Sequence, residues 1–140
     1  MDKIKLIDCT LRDGGYYNEW DFNPQLIKEY LQAMSAISVD YVELGFRSFN
    51  RKGFKGGCAY TMENFISQFD IPENLKIGVM VNGSELVKHP DGVVGGLGHL
   101  FKPASKSLVT LVRIVKNFMR NKSRDNYKSF LWSDPSKTNV

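Results

Sequence analysis

Two periodicities alternate along the first 115 residues. Lys3-Ile4-Lys5-Leu6-Ile7-Asp8 alternates polar and apolar positions before an apolar pair, which predicts a short strand entering a core. Over 24–37 the period becomes helical. Leu26, Ile27, Tyr30, Leu31 and Met34 fall on one face, and Asn23-Pro24 supplies a capping side chain and a proline at the first helical position. A strand is predicted at 40–46, mostly apolar and β-prone, with Glu43 as the carboxylate near its C-terminal end. Further strands are predicted at 75–81 and 108–115. Between them lie a short helix over 62–69 capped by Thr61, a helical turn at 84–87, and a helical pattern over 93–101. In that last pattern Gly95, Gly96 and Gly98 each cost roughly 1 kcal/mol relative to alanine, which disfavours the helix in isolation. Residues 9–22 and the Gly-rich stretch 50–57 are predicted as loops, with Gly14 and Gly15 allowing backbone angles closed to other residues.

Strands alternating with helical segments predict an α/β fold: a parallel sheet with right-handed crossovers. A nearly continuous apolar strand interrupted by one acid is the pattern of a buried parallel strand that carries chemistry at its mouth. After Val115 the alternation stops, and no fifth strand is predicted. The chain has 140 residues, enough for one core but short of the roughly 200 that a closed (β/α)8 barrel needs. Aromatic content of 12% and a mean hydropathy of −0.30 exclude the disordered class. No apolar run is long enough to span a bilayer, and the start lacks the pattern of a secretory signal, so a soluble cytoplasmic protein is expected. Cys9 and Cys58 are expected to be reduced thiols.

The net charge of +4 raises nucleic acid or membrane surfaces as partners, but its distribution redirects the question. Residues 1–115 are balanced; the excess comes from Lys116, Arg120, Lys122, Arg124, Lys128 and Lys137 against Asp125 and Asp134. A basic tail over 116–140, interleaved with Phe118, Tyr127, Phe130 and Trp132, could favour RNA or acidic lipid. Composition weighs more towards a solvated helix or disordered end, so neither a membrane nor a nucleic acid is the expected partner.

The strongest local constellation is Asp8-x-Thr10-Leu11-Arg12-Asp13-Gly14 after the first strand, combined with Glu43 on the second. In parallel βα sheets active sites lie at the carboxyl ends of the strands, so both groups are expected to open onto one face. A guanidinium beside carboxylates can serve an enolate, with a carboxylate-bound cation neutralising substrate oxygens and the arginine stabilising the charge that develops. Equally, Arg12 could pair with Asp8 or Asp13 simply to close the loop. Spacing alone weights the two about evenly.

Leu6-Ile7-Asp8-Cys9-Thr10-Leu11-Arg12-Asp13-Gly14-Gly15-Tyr16, with Val42-Glu43-Leu44-Gly45-Phe46 in step, resembles the metal-dependent aldolase and acyltransferase superfamily. Its members include 4-hydroxy-2-oxovalerate aldolase, 3-hydroxy-3-methylglutaryl-CoA lyase and 2-isopropylmalate synthase. The resemblance covers about residues 3–115 and looks strongest to the 4-hydroxy-2-oxovalerate aldolase-like branch. It implies a TIM barrel of which this chain supplies about half, and a carbon–carbon lyase acting on a 4-hydroxy-2-oxo acid through a pyruvate enolate. By the same resemblance Arg12 stabilises the enolate, Asp13 is a ligand of a divalent metal (Mn²⁺ or Mg²⁺), and Glu43 orients the arginine or the metal shell. Asp8 is more simply a structural residue that holds the loop.

Three departures bear on this expectation. Tyr16 stands where the family has a histidine that helps proton transfer; tyrosine can relay a proton, but its ordinary pKa near 10 makes it a poor base at neutral pH. The family's His-x-His metal ligands have no counterpart after Val115, and His89 and His99, ten residues apart before the last strand, read as surface or packing histidines. About four strands are present. The expectation is therefore a truncated aldolase-like protein, 1–115 plus the tail, with Arg12, Glu43 and Tyr16 as catalytic candidates, Asp13 as metal ligand, and metal binding weak or absent. The alternative is a noncatalytic half barrel that assembles with its own copy or with a complementary C-terminal half.

Overall fold

The computed structural model describes residues 4–115 and, for backbone pairing only, 129–132. The element order is β1 (Ile7–Asp8), α1 (Thr10–Gly14), α2 (Pro24–Ala36), β2 (Tyr41–Arg47), α3 (Glu63–Ile66), β3 (Lys76–Asn82), α4 (Gly83–Val87), α5 (Gly92–Leu100), β4 (Val109–Val115) and β5 (Ser129–Trp132). Short 3₁₀ turns sit at Gly15–Tyr17, Gly57–Ala59 and Ala104–Lys106. Strands β1 to β4 are parallel and neighbours in sequence order, which gives the α/β fold that the alternating pattern predicts.

The core lies between the sheet and the helices. Val42, Leu44, Ile77, Val79 and Val81 are buried on β2 and β3, and Ile27 and Leu31 of α2 pack into the same cluster. Five side chains were expected on the inner stripe of this helix. Ile27 and Leu31 are fully buried and Tyr30 and Met34 partly so, whereas Leu26 faces solvent. The cap is as expected: Asn23 Oδ1 accepts the N–H of Gln25 at 2.8 Å, with Pro24 in the first turn.

Elsewhere the structure departs from the pattern. Strand pairing in β1 is confined to Ile7 and Asp8, although Leu6 still accepts the Tyr41 N–H at 3.0 Å. Residues 1–3 lie outside the described residues. The segment expected as a loop contains α1 and the 3₁₀ turn after it. Its glycines do not use left-handed angles: Gly14 and Gly15 have φ of −61° and −60°. Gly15 is needed for space, since a Cβ there would lie 1.9 Å from Trp20 Cδ1. The positive φ angles fall instead on Glu19 and Trp20. Thr61 does not cap α3; Met62 is the capping residue, and the Thr61 hydroxyl donates to Cys58 O at 2.9 Å. Three glycines do not prevent α5 from forming, because tertiary packing of Gly96 and Leu100 overrides their low propensity.

The expectation of no fifth strand is corrected: β5 adds antiparallel to the outer edge of β4, pairing Val112 with Trp132 and Val115 with Ser129. At four residues, Ser129-Phe130-Leu131-Trp132 is too short to show an alternating pattern, and an edge strand needs only backbone partners and no alternating core face. The remainder of the expected 116–140 tail lies outside the described residues.

Candidate functional site

Glu43 and Arg113 are two positions in the sheet where a charge interrupts an apolar strand. Register explains how they meet. Glu43 of β2 pairs with Gly78 of β3, and Arg113 of β4 pairs with Met80 of β3, so all four residues share one face of the sheet. Strands β2 and β4 are about 9–10 Å apart, a span that the long Arg113 side chain covers, with its Nη2 passing 4.0 Å from Met80 Sδ of the intervening strand. Across that gap Arg113 makes a bidentate contact: Nε donates to Glu43 Oε2 at 2.8 Å and Nη2 to Oε1 at 2.6 Å. Arg12, carried on α1 just beyond β1, donates from Nε to Glu43 Oε1 at 2.7 Å. The carboxylate is fully buried. Two guanidinium groups compensate its desolvation, as a buried charge requires.

Arg12 also pairs through Nη1 with Asp13 Oδ1 at 2.7 Å. Burial lowers the Arg12 pKa, but contact with Cys9 and the carboxylates of Glu43 and Asp13 outweighs it, and the net shift is upward. For Arg113 the bonds to Glu43 lead, and its pKa is likewise raised. Both groups stay cationic at any physiological pH. The Cys9 sulfur lies 3.8 Å from Arg113 Nη2, yet burial and the Glu43 charge hold this thiol above its ordinary pKa. It is therefore neither a ready nucleophile nor a ready metal ligand.

The loop that carries Arg12 is held at several points. Asp8 accepts the Thr10 N–H at 2.9 Å, the Thr10 hydroxyl at 3.2 Å and the Tyr30 hydroxyl. Burial works against the Asp8 carboxylate, but these bonds bring its pKa below the ordinary value. Trp20 Nε1 donates to the Arg12 carbonyl at 2.9 Å, and the indole receives Lys55 over its face. Tyr16 stands apart from the charges. Its ring packs edge-on against Trp20 and Phe46, it is 62% exposed, and no hydrogen bond joins it to Arg12, Asp13 or Glu43. With Trp20, Phe46, Tyr60, Lys55 and Asn82 it lines an open cleft at the carboxyl ends of β2 and β3. Thus Arg12, Asp13 and Glu43 come together, and Tyr16 borders the neighbouring cleft.

Arg113 was not singled out from the sequence. The available signal is the same one that marks Glu43: one charge inside the otherwise apolar run Leu111–Val115. Arg47, buried at the end of β2, is structural. It donates to Thr61 O, Leu100 O and Glu63 Oε1, and so ties β2 to α3 and α5.

The residues around Asp13 do not fit a complete divalent-cation site. Such ions need about six oxygen or nitrogen donors. Here Glu43 is saturated by arginines, Asp8 by Thr10 and Tyr30, and Asp13 itself has one oxygen on a guanidinium. Among the described residues no group of three ligand side chains includes Asp13.

Among solved structures, the N-terminal domain of a putative aldolase from Bacteroides vulgatus is similar to this chain, with 37% identity and a TM-score of 0.67. The match covers 79% of this chain and 35% of that one, so the chain spans about a third of the similar structure's length. No family model matches the sequence, and no curated protein does. The fold is thus aldolase-like. No described helix is long and apolar enough to cross a membrane.

Proposed function

We propose that this chain is the amino-terminal part of a metal-dependent aldolase-type barrel and supplies the arginine side of a carbon–carbon lyase site for a 4-hydroxy-2-oxo acid. The observation that carries this reading is the buried Glu43 carboxylate clamped by Arg12 and Arg113 on one sheet face. Glu43 fixes both guanidinium planes. Arg113 Nη1 makes no hydrogen bond to a described residue and remains a donor for an anion. In retro-aldol cleavage the 4-hydroxyl gives its proton to water, the C3–C4 bond breaks, C4 leaves as an aldehyde, and the electron pair passes to the 2-oxo oxygen as an enolate; fixed N–H donors are worth most where such charge develops. In this reading Arg12 is the catalytic residue with Arg113 as a second donor to the same anion, Glu43 positions both, and Tyr16 lines the adjoining cleft. A divalent cation finds only the Asp13 carboxylate, so Mn²⁺ or Mg²⁺ binding by this chain is expected to be weak.

The test is pyruvate release from 4-hydroxy-2-oxo acids in the presence of Mn²⁺, comparing the parent with Arg12→Ala. A faster parent supports the reading; equal rates remove Arg12 from the mechanism.

A second reading is favoured by the unpaired edge of β1. Among the described strands β1 has only β2 as neighbour, and Ile4, Leu6 and Ile7 beside it are exposed. Leu97, Phe101, Val109, Val112 and Ile114 also leave an apolar groove between α5 and β4. In this reading the chain is a noncatalytic half barrel that pairs with its own copy or with a complementary half. Light scattering after size-exclusion chromatography distinguishes a defined dimer from a monomer.

A further inference from the structure

The chain has two histidines, and the fold brings both to one carboxylate. His89 lies in the turn between α4 and α5, Asp91 at the start of α5 and His99 in its last turn. Asp91 Oδ2 is 3.0 Å from His99 Nε2 and 3.9 Å from His89 Nδ1. One donor atom from each residue lies within 4.8 Å of the other two, and this is the one such group among the described residues.

Two features of α5 accompany the cluster. Asp91 occupies the capping position of the helix, yet its carboxylate makes no capping bond and turns to the imidazoles. Two of the three glycines that weaken the helix, Gly95 and Gly96, leave room beside the cluster. A Cβ on residue 95 would lie 2.4 Å from Asp91 Cβ, and one on residue 96 would lie 3.3 Å from Cβ and Cγ of His89. The His89 ring is further set by Phe49, with centroids 4.7 Å apart.

We propose that His89, Asp91 and His99 form a binding site for a divalent transition metal of the zinc class, with water in the remaining position. Two imidazoles and one carboxylate suit zinc, nickel or copper, whereas magnesium prefers an all-oxygen shell. Tetrahedral zinc, with bonds of about 2.0–2.1 Å, holds its donors roughly 3.3 Å apart. The observed separations bracket that value, and the two outer ligands, Asp91 and His99, are exposed and free to adjust. Should His89 bind through Nδ1, that atom exchanges the Asp91 N–H, which it accepts at 3.2 Å, for the metal. The site is separate from the Glu43 cluster and does not rest on the lyase reading.

Because there are only two imidazoles, the test is clean. The full chain is titrated with ZnCl2 while long-range ¹H–¹⁵N spectra follow both histidine rings, with amide spectra confirming the fold. Both rings should shift together and saturate at one equivalent. His99→Ala and Asp91→Asn should each weaken the apparent affinity at least tenfold, and Mg²⁺ at the same concentrations should leave both rings unmoved. A response from only one ring, equal response to Mg²⁺, or undiminished affinity in His99→Ala would overturn the proposal.

Discussion

Replacing Glu43 by glutamine tests the hub of the charged cluster. The substitution keeps the volume and one carbonyl oxygen, but turns the other acceptor into an NH₂ donor. Three charge-assisted bonds of 2.6–2.8 Å end on this carboxylate, one from Arg12 and two from Arg113. If the amide oxygen takes the place of Oε1, the Arg113 Nε–H at Oε2 meets an N–H and is orphaned. In either amide orientation the charge that compensates two partly buried guanidinium groups is gone. Removing one partner of a buried ion pair costs about 3–5 kcal/mol. With a urea m-value of about 2 kcal/mol/M, a loss of about 4 kcal/mol moves the midpoint down by roughly 2 M. The assay is urea unfolding followed by fluorescence, where the buried Trp20 reports on the arginine loop. Arg113→Met should cost less, since Glu43 keeps Arg12, and the double variant Glu43→Gln with Arg113→Met should be more stable than Glu43→Gln alone. A Glu43→Gln midpoint within about 0.5 M of the parent would refute the reasoning that these bonds organise the site.

Acid should weaken the fold partly through Glu63. Burial raises its pKa, but bonds from Ser107, the Leu108 N–H and Arg47 outweigh this and hold it below the ordinary value of 4.5. The unfolded chain therefore takes up the proton first, and the stabilisation present above about pH 4.5 is lost as pH falls through the lower folded value. Glu63→Gln should flatten that acid limb in urea midpoints measured between pH 7 and 3. Gly45→Ala should destabilise by more than about 3 kcal/mol, because its Cβ would stand 1.7 Å from the Cys58 carbonyl oxygen, whereas Gly98→Ala, in open space on α5, should stabilise by up to about 1 kcal/mol. Thermal melts of the two variants check this opposition of sign. The Cys58 thiol is buried and pushed up to about 12, so at pH 8 roughly one in 10⁴ is ionised. Iodoacetamide should modify Cys58 only as fast as the protein opens, and modification at the rate of an unfolded thiol would contradict the packing.

What the sequence made legible was what local periodicity controls. The parallel strands, α2 with its Asn23 cap, and the meeting of Arg12, Asp13 and Glu43 follow from alternation, capping chemistry and the rule that strand ends share a face. The rest depends on contacts far apart in sequence. Arg113 joins Glu43 seventy residues away across the intervening strand β3, a link no local window contains. Gly15 and Gly45 are required by neighbours, Trp20 and Cys58, rather than by their own φ angles. His89 and His99 look unrelated until a turn and two helical turns bring them to Asp91.

The central claim, that the Arg12–Glu43–Arg113 cluster receives a 2-oxo-acid enolate, is tested most directly by binding of oxalate, a planar dianion shaped like the enolate of pyruvate. Titrating the ¹⁵N-labelled chain should produce saturable shifts of the arginine Nε–H signals of Arg12 and Arg113, and Arg12→Ala should abolish saturation while its amide spectrum shows an intact fold. Absence of any shift at these two arginines in the parent, or an identical titration in Arg12→Ala, would contradict it.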